Sequence, residues 1–119
     1  MNNRELVSVF DYEAAARKSL PKMAFDYYSS GANDEITLRD NHAAYERIRL
    51  KPGVLKDISQ RDTGITLYGE PISMPILVAP TAFHRMAHPE GEVAVARAAG
   101  KAGTIMILST LSNLSLIHI

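Results

Sequence analysis

The sequence predicts an α/β fold class, and the front portion of a larger parallel-stranded domain. Three observations carry this. PILVAP (75–80) and TIMILS (104–109) are continuous apolar runs without alternation, as expected of strands buried on both faces of a parallel sheet. Between them GEVAVARAAGKAG is rich in alanine and favours helix. Strand, helix and strand within about 34 residues make a βαβ unit, whose strands run parallel. Two such strands do not close a domain, because each central strand needs a neighbour on both sides. An eight-stranded barrel takes about 250 residues; this chain of 119 offers two barrel-type strands at most.

The elements before that unit read as three helices and a hairpin. Ser8 caps the first helix, with Asp11 three residues on at the positive end of the helix dipole. The helix runs through YEAAARKSL and stops at Pro21. Pro21 suits the first turn of the second helix, PKMAFDYYSS, which Gly31 terminates. Asn33 caps the third, NDEITLRDNHAAYERI, with Asp34 and Glu35 in its first turn. Leu38, Asn41, Tyr45 and Ile48 share one face of it, so Asn41 must find partners if that face is buried. VLKDIS is short and mixed. ITLYGEPISM is β-rich, with Gly69 and Pro71 marking the turn of a hairpin at roughly 65–74. Gly103 ends the helix of the βαβ unit. LSLIHI, the last six residues, is apolar with no cap or turn. It is either the start of a third element or the translation of CTG TCT CTT ATA CAC ATC, the end of a common sequencing-transposon adapter. The second reading makes 114–119 a non-native tail behind a domain portion at 1–113, and leaves His118 without functional weight.

Composition narrows the function classes. Thirteen basic and thirteen acidic residues cancel, which argues against a nucleic-acid surface or an acidic tail. There is no cysteine, so disulfides and thiolate metal sites are excluded and a reducing, cytoplasmic setting is the default. The start, MNNRELVSVFDYEAAARK, is charged and has no apolar core of a signal peptide. No run of about 18 apolar residues offers a membrane span.

Residues 76–90, ILVAPTAFHRMAHPE, hold the side chains and backbone with chemical potential. His84 and His88 have the spacing of a zinc pair. They fall in a strand-to-helix loop with no third ligand evident, and Glu90 and Glu92 are equally ordinary first-turn carboxylates. No metal site is expected: His88 caps or packs at the helix start, and His84 is loop surface. APTA stands at the carboxyl end of a parallel strand, where barrels and open sheets build their sites. Small side chains there let a flat ligand approach the main chain, and the Ala82 N–H can donate to a ring nitrogen or carbonyl. The same residues also suit a tight βα turn with no ligand. Ser109 ends the second run on the same side of the sheet. Its hydroxyl can reach that ligand or satisfy local backbone groups. Tyr27 lies in a helix with an apolar face, where tyrosine is commonly core.

LPKMAFDYYSSGANDEITLRDN, ISMPILVAPTAFHRMAHPEGE and ARAAGKAGTIMILST together resemble the FMN-dependent L-2-hydroxy acid oxidases and dehydrogenases, of which glycolate oxidase and lactate oxidase are familiar members. DYYSSGA, APTA and MAHPEGE occur in order and at matching separations, and the similarity runs from about Phe10 to Asn113. The resemblance implies a (β/α)8 TIM barrel preceded by helices, with PILVAP and TIMILS as its first two strands and the rest of the barrel missing. It implies FMN across the carboxyl ends of the strands. The main chain of Pro80, Thr81 and Ala82 would line the flavin near its N5, Ser109 would hydrogen-bond the ring, and Tyr27 would donate to the substrate carboxylate. The implied activity takes the α-hydrogen of an L-2-hydroxy acid as a hydride equivalent and yields the 2-oxo acid.

Two departures qualify the resemblance. Leu111 stands where glycolate oxidases usually carry a tryptophan, which implies a different or wider substrate pocket. The family's catalytic histidine, its substrate-binding arginines and its flavin-side lysine come from later strands, and His42, His84, His88 and His118 do not match that histidine. No catalytic residue is therefore assigned in this chain. The full-length parent is expected to be a homo-oligomer, commonly a tetramer in the family, acting on a small 2-hydroxy acid with neither nucleic acid nor membrane span. The 119 residues alone are expected to be inactive. The competing readings are another FMN barrel, such as a type 2 isopentenyl diphosphate isomerase, and a short non-catalytic binding or assembly module.

Overall fold

A computed structural model describes residues 6–114 of a chain that divides into two compact units, Met1–Val54 and Leu55–Ile119. From residue 115 onward the expected non-native tail, His118 included, lies outside the described residues.

Among the described residues the first unit has helices α1 (Val9–Ser19), α2 (Lys22–Ser29) and α3 (Ile36–Arg47). The start of α1 is the one expected. Ser8 accepts from the Asp11 N–H and the Asp11 carboxylate accepts from the Ser8 N–H at 2.9 Å, a reciprocal capping box. Pro21 occupies the N-cap position of α2 rather than its first turn. Ala24 and Phe25 are the buried residues of this unit among those described, and the Arg17 guanidinium lies 4.5 Å above the Phe25 ring. Two expectations fail at the next junction. Ser30 ends α2 in an extended conformation, and Gly31 has no left-handed backbone. A Cβ on Gly31 would stand 3.0 Å from Leu38 Cβ, so close packing on α3 is its reason. Asn33 does not cap α3. Asn33 and Glu35 are both left-handed, with φ of 50° and 57°, and Glu35 holds the N-cap position. A turn closed by the Glu35 N–H on Ala32 O at 2.9 Å takes the place of the simple cap. The expected face of α3 is also displaced. Leu38 is half-buried, but Asn41, Tyr45 and Ile48 are exposed. Leu38 and His42, one turn apart, are the α3 residues that line a cavity with Ala16, Leu20 and Phe25. Ala43 and Ala44 are half-buried as well, so the packed face runs through Leu38 and His42 to the two alanines and not through Asn41, Tyr45 and Ile48.

The second unit begins with a hairpin, β1 (Ile65–Leu67) and β2 (Glu70–Ile72), with Ile65 opposite Ile72. Its two-residue turn is Tyr68–Gly69, both at positive φ, the geometry that matches strand twist. Pro71 lies within β2 opposite Thr66, not in the turn. Helix α4 (Glu92–Lys101) closes as expected at Gly103. Gly103 is left-handed at φ 70°, its N–H bonds Gly100 O and the Thr104 N–H bonds Ala99 O, both at 3.0 Å. This paired pattern satisfies carbonyls that a helix end otherwise leaves open. Ser73, just past β2, donates from its hydroxyl to Ala102 O at 2.9 Å and ties the hairpin to that end.

PILVAP and TIMILS do run parallel, but they pair through one bridge, Val78 with Met106, instead of two full strands. The Val78 N–H donates to Ile105 O and the Ile107 N–H donates to Val78 O, each at 3.0 Å. The next donor in a parallel ladder would be residue 80. Pro80 has no N–H, so the ladder stops where the loop begins.

Candidate functional site

The two segments keep one register both before Pro80 and beyond it, although the ladder ends there. Thr104 bonds Ile76 O from its hydroxyl, the Phe83 N–H donates to Leu111 O at 3.1 Å, and the Arg85 N–H donates to Asn113 Oδ1 at 3.0 Å. Each tie, like the Val78–Met106 bridge, joins residues 28 apart in sequence. That constant register carries Thr81 to the level of Ser109. The structure therefore brings Pro80, Thr81, Ala82 and Ser109 to the same end of one parallel pair, as the sequence suggested.

Local geometry favours an open backbone there. Pro80 and Thr81 are exposed and Ala82 is half-buried. The Thr81 hydroxyl turns back to Ala79 O at 3.4 Å. Among the described residues the amide N–H groups of Thr81 and Ala82 have no hydrogen-bond partner. Two adjacent donors beside small side chains suit a planar acceptor approaching the main chain. The Ser109 hydroxyl accepts from the Leu111 N–H at 3.1 Å, the local backbone role, which leaves its own O–H able to donate. Tyr27 belongs to the other unit, in α2. It is 45 % exposed rather than core, and meets Tyr28 edge-on with ring centroids 5.4 Å apart.

Two neighbouring residues depart from the sequence reading. His84 is not loop surface. It begins a short 3-10 helix, His84–Met86, and is 8 % exposed. His88 does serve the helix approach: its Nδ1 accepts from the Glu90 N–H at 3.2 Å. Glu92 is not an ordinary first-turn carboxylate. It is 1 % exposed, and its Oε1 accepts from the Asn113 N–H at 2.8 Å and the His84 N–H at 3.4 Å. Desolvation works to raise its pKa. The N–H groups of Asn113, Glu92 itself and His84, with the nearby His84 ring charge, outweigh that and hold the carboxyl below the ordinary glutamate value. Glu92 is the residue that sequence reasoning passed over. A glutamate at a helix start looks the same in sequence whether it faces water or bridges two loops.

A family model described as FMN-dependent dehydrogenase matches residues 16–119. Glycolate oxidase 1 of Zea mays is 54 % identical over 111 residues, covering 93 % of this chain and 30 % of the relative. L-lactate oxidase of Nostoc is 53 % identical over 110 residues, covering 92 % and 30 %. The chain thus spans about 30 % of the length of these curated relatives. Among solved structures, a soluble mutant of the membrane-associated (S)-mandelate dehydrogenase from Pseudomonas putida aligns with a TM-score of 0.86 at 42 % identity, over 93 % of this chain and 32 % of that one. The aligned portion corresponds to an incomplete barrel of the TIM type.

Proposed function

This chain belongs to the FMN-dependent dehydrogenase family, and from that premise we propose that the complete protein oxidises an L-2-hydroxy acid to the 2-oxo acid. The observation that carries the reading is the pair of amides at Thr81 and Ala82, without a hydrogen-bond partner among the described residues and held at the strand end in register with Ser109. Donors of this kind fit the nitrogen and carbonyl edge of a flavin, and the small side chains leave room for a flat ring. Pro80, Thr81 and Ala82 would present their main chain to FMN near N5, and Ser109 would donate its O–H to the ring. Tyr27 would donate its phenol to the substrate carboxylate, a rigid and neutral donor for an anion. When bound, FMN supplies the two-electron acceptor that takes the α-hydrogen as a hydride equivalent at N5. The chain itself binds and orients; no catalytic residue is assigned to it.

Leu111 marks the substrate question. The relatives carry the names glycolate, L-lactate and mandelate enzymes, and Leu111 is 53 % exposed in the loop after the second segment. We read a pocket wider than one built for glycolate. The domain portion stays at 1–113 in this reading, and the parent is a cytoplasmic homo-oligomer. No helix among the described residues is long and apolar enough to cross a membrane.

The test is the complete gene product, purified and titrated with FMN. A yellow protein with one flavin per chain, bleached without oxygen by lactate or mandelate faster than by glycolate, is the expected result. Failure to take up FMN, or a flavin that no L-2-hydroxy acid bleaches, would overturn the proposal. Light scattering and cell fractionation check the oligomer and the compartment.

A further inference from the structure

We propose that Glu92 is a positioning residue, a buried carboxylate that straps the loop after the first parallel segment to the loop after the second and so sets the main chain of Pro80–Ala82 against Ser109. The inference rests on the flavin reading of those loops and goes one step further, to what holds them. Oε1 of Glu92 takes the N–H of Asn113, four residues beyond Ser109, and the N–H of His84, two beyond Ala82. One oxygen thus grips both loops. The other ties between them, Phe83 to Leu111 and Arg85 to Asn113, run from loop to loop. The Glu92 tie also anchors both loops to the first residue of α4.

The burial of this carboxylate singles it out. Glu90, two residues earlier, is exposed, and a helix-start carboxylate needs no more than that to meet the helix dipole. Taking a carboxylate out of water is costly unless donors replace the lost hydration. At Glu92 the donors are backbone amides of the two loops. Its second oxygen, Oε2, and His84 Nε2 have no hydrogen-bond partner among the described residues. The carboxylate is therefore held by loop amides and not by a hydrogen-bonded ion pair.

The test uses Glu92→Gln, Glu92→Asp and Glu92→Leu in the complete gene product. Gln keeps an acceptor at the same reach. Asp keeps the charge but withdraws it by roughly 1.5 Å, one carbon–carbon bond. Leu keeps the volume and removes every acceptor. Amide hydrogen exchange at His84 and Asn113 is followed without FMN, and FMN affinity is followed by flavin fluorescence. In both Asp and Leu the two amides are expected to exchange at least about tenfold faster and together, and FMN to bind at least about tenfold more weakly, the equivalent of one charge-assisted hydrogen bond. Gln is expected to stay within about threefold of the parent on both readouts, since its amide oxygen still accepts. A residue with only a general structural role would lower the melting temperature without this selective rescue by Gln. If Leu does not fold, Asp against Gln decides. The proposal is overturned by a folded Asp or Leu variant in which His84 and Asn113 exchange as in the parent, or in which they quicken while FMN affinity is unchanged. If the parent takes up no FMN, the flavin reading fails by itself, and the exchange of His84 and Asn113 then upholds or overturns the strap alone.

Discussion

Ser8 and Asp11 satisfy each other's backbone N–H groups at the start of α1, and the same bonds set how that helix responds to acid. The Asp11 carboxyl is held below the ordinary aspartate value of 3.8, first by the Ser8 N–H, then by the Ser8 hydroxyl and the Val7 N–H. A lowered carboxyl stabilises the fold in full above its unfolded pKa and loses that contribution as pH falls through the folded one. Helix content of the complete protein is therefore expected to decline from about pH 4 downward. Asp11→Asn should flatten that part of the profile, measured by circular dichroism. Ser8→Ala is expected to cost about 1 kcal/mol in denaturant unfolding. A different residue-scale test concerns Tyr27. Tyr27→Phe removes only the hydroxyl. If that hydroxyl binds the substrate carboxylate, KM for the hydroxy acid should rise about tenfold or more, with FMN affinity unchanged. An unchanged KM would remove Tyr27 from the site.

At the scale of elements, the hairpin and α4 carry contrasting exceptions to local preference. Tyr68 occupies a left-handed turn position at φ 51° while its side chain is 99 % exposed. Its ring packs on nothing that offsets the strain. Tyr68→Asn is expected to raise stability by several tenths to about 1 kcal/mol, because asparagine tolerates that backbone. Gly103→Ala should do the reverse. The position is left-handed, and the added Cβ would lie 2.7 Å from Ser73 Oγ, so a loss of at least about 1 kcal/mol is expected. Both changes are read by urea unfolding of the complete protein. These elements also show what the sequence could carry. The Ser8 cap, the hairpin and the Gly103 stop were legible because each depends on residues within a few positions. Gly31, Asn33 and the inward face of α3 were not. Their states are set by how α3 meets α1 and α2, a tertiary matter that spacing does not encode. Pro80 shortened the first barrel strand for a reason visible in its chemistry, the missing N–H. His84 and Glu92 were misread because burial of a polar side chain depends on tertiary contacts that spacing does not encode, such as the Asn113 N–H 21 residues beyond Glu92. Pro80–Ala82 and Ser109 were placed on one sheet end correctly, since parallel strands fix that without side-chain detail.

Across the whole molecule, the balance between buried and exposed apolar surface decides what the 119 residues can do alone. Among the described residues the buried apolar side chains are Ala24 and Phe25 in the first unit and Ile72 and Ala99 in the second, with no buried Leu, Val or Met. Leu50, Val54 and Leu55 are each more than four-fifths exposed, and Ile58 and Ile76 more than half. The parallel pair adds a strand edge without a neighbour among the described residues. Four buried apolar residues cannot offset the conformational entropy of ordering a chain this long. Open edges and apolar patches favour association instead. The isolated chain is therefore expected to be poorly soluble or molten: far-ultraviolet helix signal retained, near-ultraviolet signal lost, a hydrophobic dye bound, and no tight uptake of FMN. The complete gene product should show the opposite on all four measurements, with a cooperative melt that rises when FMN is added. A yellow, monodisperse preparation of the 119 residues with one flavin per chain would refute this and would make the two loops and the Glu92 strap sufficient to hold a flavin.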